Sequence, residues 1–302
     1  MNRFARASLA LLAVAALLFG ACEKPVWDDD EGVTGDPSPA IGATDGTRFV
    51  VTLGGPASFE PYSPTTPTAA SADRHAVGEL CSRLSLAVFK DGLKVGKTYH
   101  QTASDAHFGT FDVALDEGVY QVVAVAHSGT ASCTITSLEE VSFPNNKMTD
   151  TFVACETVKV TDEPAQQNLV LERCVAKIRV EVREKTPKTV AQVQFFYTGG
   201  SSTLNPSTAL GAKQSRQTEV REVAPEAYAN ASYYELYTIP HEEKDSLKEI
   251  RIASLNAVRD TLSHRELKNI YFRAGQVTEV ATYLYSENPD NGRAKEYLAD
   301  GR

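Results

Sequence analysis

Apolar and polar residues alternate in short runs along most of this chain, and each run predicts a half-buried strand. In TRFVVTLGG (47–55), Phe49, Val51 and Leu53 oppose Arg48, Val50 and Thr52. RLSLAVFKDG (83–92) carries Leu84, Leu86 and Val88 on one face and ends in an Asp91-Gly92 turn signal. GTFDVALDEGVYQVVAVAH (109–127) reads as two strands around Asp116-Glu117-Gly118, and its second half is apolar on both faces, which places it centrally in a sheet. The clearest pattern is CVAKIRVEVRE (174–184). Cys174, Ala176, Ile178, Val180 and Val182 share one face, and Lys177, Arg179, Glu181 and Arg183 the other, as in an antiparallel sheet with one solvated side. Leu169 and Leu171 have the opposite parity, so a bulge or break is expected near Glu172-Arg173.

Further strands are expected in TVAQVQFFYTGG, YYELYTIP, LKEIRIAS and GQVTEVATYLYS. No long apolar stripe of period 3.6 occurs, so helices are expected only as short pieces, around 208–214 or 241–248. Many short strands separated by Pro, Gly and Asn predict an all-β chain of antiparallel β-sandwiches. The polar stretch TDEPAQQN (161–168) predicts a division into an N-terminal domain, 47–162, and a C-terminal domain, 163–286, followed by a polar tail, 287–302.

The first residues change the picture from a fold to a location. Arg3 and Arg6 precede a short apolar run that ends in small residues, the anatomy of a signal peptide over 1–21. Gly20-Ala21-Cys22 resembles the bacterial lipoprotein signal, which implies a lipid on Cys22 and a covalent hold on a membrane. Residues 22–46 then read as a tether. Within it Asp28, Asp29, Asp30 and Glu31 lack the alternating spacing of a calcium loop, and they read as a solvated spacer. They also resemble the surface-export signal of Bacteroidetes lipoproteins.

Without residues 1–21 the chain has 28 basic and 39 acidic residues, a net charge of −11. That balance argues against nucleic acid and against electrostatic binding to anionic lipid. Four cysteines remain besides Cys22, namely Cys81, Cys133, Cys155 and Cys174, and three pairings are open. Cys133–Cys155, which would close a modest loop, is the preferred one. None forms a CxxC, and the six histidines lack metal-ligand spacing, so no metal site is expected. There is no GxSxG, HExxH, phosphate loop or Rossmann glycine set, hence no catalytic residue or cofactor is assigned and the chain is not expected to be an enzyme. A dense tyrosine group, Tyr228, Tyr233, Tyr234 and Tyr237, is the one candidate platform for a glycan or host ligand, although alternation turns Tyr234 away from Tyr233 and Tyr237.

Taken together, the lipid cysteine with its acidic tether, RLSLAVFKDG, and the stretch LVLERCVAKIRVEV resemble the Bacteroidales fimbrillin superfamily that forms type V pili, and within it the lipoprotein anchor and minor-subunit family. The last stretch carries the family's L-x-R-x-x-A-K-I/V pattern in Leu171, Arg173, Ala176, Lys177 and Ile178. The resemblance implies two tandem transthyretin-like sandwiches, a place at the outer membrane and in the fimbrium, and other fimbrial subunits as partners, joined by strand pairing or exchange. TRFVVTL (47–53) and QVTEVATYLY (276–285) are the candidate interaction strands. Asp245-Ser246-Leu247 and Asp260-Thr261-Leu262 fit the D-S/T-aliphatic O-glycosylation pattern of Bacteroidetes exported proteins, which makes Ser246 and Thr261 candidates, and Arg48 and Arg74 are candidates for Arg-specific maturation of the kind seen in fimbrial subunits.

Overall fold

The computed structural model describes residues 46–66, 71–163 and 165–286. Cys22, the acids at 28–31 and the tail 287–302 lie outside them. The N-terminal half supplies β1 (Thr47–Gly54), β2 (Glu60–Pro61), β3 (Arg74–Ala76), a one-turn helix α1 (Val77–Leu80), β4 (Arg83–Lys90), β5 (Leu93–Thr102), β6 (Thr110–Val113), β7 (Gly118–His127), β8 (Thr134–Ile135), β9 (Val141–Ser142), β10 (Thr151–Val160) and β11 (Gln166–Arg173). The C-terminal half supplies β12 (Ala176–Val182), β13 (Gln192–Thr198), β14 (Thr203–Asn205), β15 (Leu210–Gly211), β16 (Arg216–Glu222), β17 (Ser232–Thr238), β18 (Asp245–Leu255), β19 (Thr261–Phe272) and β20 (Gln276–Thr282).

The first half is a sandwich whose two leaves share one core. One leaf is β5-β4-β7-β10 and the other is β11-β1 with β3 and β6 against the far side of β1. They are joined at a corner where Phe152 and Val153 of β10 pair with Arg173 and Glu172 of β11. The alternation read in the sequence explains the interior. Phe49, Val51 and Leu53 meet Leu84, Leu86 and Val88, with Tyr120, Val122, Ala124, Phe152, Leu169 and Leu171 filling the space between. Asp91 and Gly92 both adopt positive φ, 51° and 78°, and close the two-residue hairpin between β4 and β5.

In the second sandwich β17-β12-β20 faces β16-β13-β18-β19. Ala176, Ile178, Val180 and Val182 pack on Phe195, Tyr197, Ile250, Ile252 and Phe272. A third core joins the halves. The outer face of the β4-β7-β10 leaf, through Phe89, Val123, Val125 and Val153, packs on Ile135, Val141, Phe143 and Met148 and on Leu204 and Ile239 from the second half. Here β9 of the first half pairs with β14 of the second, and the described residues from 46 to 286 form one compact unit. β7 is buried on both faces for this reason.

Four expectations are corrected. The sheets are not purely antiparallel, because β1 runs parallel to β11 and β12 parallel to β20. The boundary after 162 falls inside the first sandwich: 161–165 connects β10 to β11, which returns to pair with β1, and the change of sandwich comes at Cys174-Val175. That dipeptide is also the break in parity, just past the Glu172-Arg173 position expected for it, so Cys174 is a connector and not a strand residue. Residues 208–214 and 241–248 carry strand and turn, and among the described residues the helical pieces are α1 and single turns at Pro144–Asn146 and Pro225–Tyr228.

Candidate functional site

The two candidate strands differ in what they offer a partner. β1 is flanked on both sides: Arg48–Leu53 pair with Gln166–Leu171, and the other edge is taken by Thr110–Val113 and by Arg74–Ala76. It is an integral strand with no open edge. β20 is open over most of its outer edge. β2 covers only its first two residues, ending where the Tyr62 N–H donates to the Val277 carbonyl at 2.8 Å. By alternation the N–H and C=O groups of Glu279 and Ala281 point the same way, and among the described residues no strand meets them. A strand edge of this kind is a ready template for another chain.

The face beside this edge is a ladder of charges. Arg179 bridges Glu235 at 3.0 Å and Glu279 at 3.1 Å, and Lys177 meets Glu235 at 3.2 Å. Partial burial on its own would raise the Glu235 carboxyl, but the Arg179 and Lys177 charges hold it below its ordinary value. Tyr233 stands exposed above Glu181, whereas Tyr234 lies in the core against Phe195, the Tyr228 hydroxyl donates to the Val190 carbonyl, and Tyr237 is half-buried. The four tyrosines therefore do not share one platform.

The residues that resemble the family pattern have a structural role that alternation did not reveal. Arg173 is almost fully buried at the corner between the sandwiches. Its Nε and Nη2 donate to both carboxylate oxygens of Asp150 at 2.8 and 3.1 Å. Its Nη1 and Nη2 donate to the carbonyls of Pro56 and Ala57 at 2.9 and 3.0 Å. The guanidinium lies 4.3 Å from the ring centre of Phe59 and 4.6 Å from that of Phe152, and Lys177 caps Phe59 from 4.6 Å. Burial pushes the Asp150 carboxyl above its ordinary value, against the pull of Arg173.

Residues 56–66 thus form a strap from the end of β1 across to the second sandwich. There the Gln276 amide accepts from the Ser63 N–H at 3.0 Å and donates to the Thr66 carbonyl at 2.9 Å, and Arg273 donates to Pro64. Its prolines and small residues carry no alternation, so the sequence pattern predicts no strand there. The one sequence signal for its partner is a basic residue, Arg173, in the apolar phase of Leu169 and Leu171 at the end of that strand.

The remaining sites are scattered. Arg48 is held in a bidentate ion pair with Asp112 at 2.7 and 3.1 Å within a strand flanked on both sides. Both arginines are exposed, but Arg74 lies on the short edge strand β3, its guanidinium on the Asp73 carbonyl at 2.8 Å, so its backbone is less enclosed than that of Arg48. Thr261 is exposed at the start of β19, while Ser246 is half-buried and pairs with Tyr271. Cys133 and Cys155 do not form the expected bridge. Both border the third core, but all four described cysteines are free thiols, and the Cys155 sulfur lies 4.0 Å from the Ser207 hydroxyl.

No curated protein matches the chain in sequence. Among solved structures, a candidate adhesin from Bacteroides ovatus is 11% identical over 82% of this chain and 90% of its own, with a TM-score of 0.51, and shows the fold. A second candidate adhesin from that species is 15% identical over 82% and 91%, with a TM-score of 0.48. The fimbrial anchor protein Mfa2 from Porphyromonas gingivalis is 12% identical over 73% and 81%, with a TM-score of 0.38. The family model for fimbrillin-A associated anchor proteins Mfa1 and Mfa2 matches residues 58–300, starting within the strap and taking in both sandwiches except β1, and the chain belongs to that family.

Proposed function

We propose that this protein is a surface lipoprotein of the outer membrane that anchors a fimbria, or joins it as an accessory subunit. Lipid on Cys22 is the membrane attachment, and the acids at 28–31 act as spacer and export signal. The observation that carries this reading is the family match over 58–300 downstream of a lipoprotein-type cysteine. The partner is another fimbrial subunit, which adds a strand to the open edge of β20 beside Glu279 and Ala281. Main-chain hydrogen bonds supply the affinity, and the Arg179-Glu279 ladder helps to set the register. Thr261 is the more accessible of the two O-glycosylation candidates. The test is deletion of the gene with complementation: fimbriae are expected to detach or change in length. Unchanged fimbriae with lost binding of glycan or host ligand would move the function to an adhesin.

A further inference from the structure

The two parallel strand pairs occupy the positions that matter when the chain is pulled from its ends. β1 leads from residue 46, where the tether joins the folded unit, and its partner β11 leaves at its C-terminal end through Cys174-Val175 into β12. β12 is in turn parallel to β20, whose C-terminal end leads past Ser286 out of the described structure. Tension between the two ends therefore pulls β1 backward and β11 forward, then β12 backward and β20 forward. In both pairs the force runs along the strands and acts at opposite ends of neighbouring strands.

Six residue pairs, Arg48↔Gln166 to Leu53↔Leu171, are loaded together in the first, and six, Lys177↔Val277 to Val182↔Thr282, in the second. An antiparallel terminal pair pulled from the same end would instead open one rung at a time. Both ends are also pinned. Arg48 grips Asp112 of β6 at 2.7 Å where β1 begins. Beyond β20, the Arg265 Nε donates to the Tyr283 carbonyl at 2.8 Å, and the Tyr285 N–H donates to the Glu184 carboxylate at 2.8 Å.

We infer that this fold is a connector built to carry tension: two shear-loaded parallel strand pairs in series, joined through Cys174-Val175 alone, make it resist extension along its own N-to-C axis. The biological need for such resistance rests on the anchoring role proposed above, but the mechanical property does not, so the two can fail separately. Forced unfolding is governed by the unfolding barrier, and the direction of pull selects which barrier is met.

The experiment is single-molecule force spectroscopy on the chain from residue 22 to 302 in two kinds of geometry. One pulls on the N- and C-termini. The other peels: either the N-terminus against an attachment peptide inserted after Asp162, which opens β1 from β11, or the C-terminus against one inserted in the exposed turn 187–189, which opens β20 from β12. Both insertions lie in exposed turns, and either alone suffices should the other misfold. The expected result is a rupture force several-fold higher for end-to-end pulling than for peeling. Equal forces, or a weaker end-to-end connection, would overturn the inference.

Discussion

Replacing Arg173 with methionine removes the guanidinium that holds the corner between the sandwiches and keeps most of the apolar stem. Asp150 would then remain buried without its bidentate partner, and the strap carbonyls of Pro56 and Ala57 would lose their donor. Stranding one member of a buried ion pair costs about 3–5 kcal/mol. For a folded unit of this size each kcal/mol corresponds to about 2–4 °C, so Arg173→Met is expected to lower the melting temperature by roughly 6–20 °C at pH 7. The sign with pH follows from Asp150. Burial already raises its folded-state pKa, and loss of Arg173 raises it further, so the folded variant holds a proton that the unfolded chain releases. Stability of the variant then falls as pH rises through that window, and its deficit narrows on acidification. Urea unfolding followed by circular dichroism at pH 7 and at pH 5 measures both effects. Asp150→Asn combined with Arg173→Met is expected to cost clearly less than the two single changes added together. A variant within about 1 kcal/mol of the parent, or a double variant additive to about 0.5 kcal/mol, would refute the reasoning.

Two further outcomes are expected. His127 accepts the Gly129 N–H and is held neutral, its pKa lowered to about 4 from 6.5 by burial and then by Arg83, so the unfolded chain takes up a proton across that interval before the folded one does. Stability therefore declines between about pH 6.5 and 4, by on the order of 3 kcal/mol in full, and His127→Gln should flatten the slope of urea midpoints against pH. Among the described thiols Cys155 is half-buried while Cys81, Cys133 and Cys174 are buried, with Cys133 pushed up to about 11 by burial. A soluble alkylating reagent should label Cys155 first in the native protein and the others only on unfolding, and a Cys133–Cys155 peptide in a non-reduced digest would contradict this.

Strands were legible wherever one face is solvated, because burial then alternates along the backbone. β12 shows it directly, with Ala176, Ile178, Val180 and Val182 buried and Lys177, Arg179 and Glu181 only partly so. The central place of β7 was legible as well, since only a strand covered on both faces is apolar in both parities. Strand direction was not legible. Alternation is the same whether a neighbour runs parallel or antiparallel, so the β1–β11 and β12–β20 pairings lay beyond any local pattern. The polar run at 161–168 misplaced the boundary because a connection between the two leaves of one sandwich has the composition of a linker. Of the candidate interaction strands, both were terminal in sequence, but β1 is enclosed by partners placed far along the chain and β20 keeps an open edge. Arg173 and its strap needed the fold, since Pro56 and Asp150 meet there only through tertiary packing.

The anchoring role is tested most directly by replacing Cys22 with alanine in the native strain and measuring where the fimbriae are. Electron microscopy and immunoblots of cells and cell-free medium would give the fraction retained. The expected result is loss of the protein from the outer membrane and fimbriae shed into the medium. Fimbriae retained on the cells as in the parent, with the Cys22→Ala protein still firmly in the membrane fraction, would contradict it.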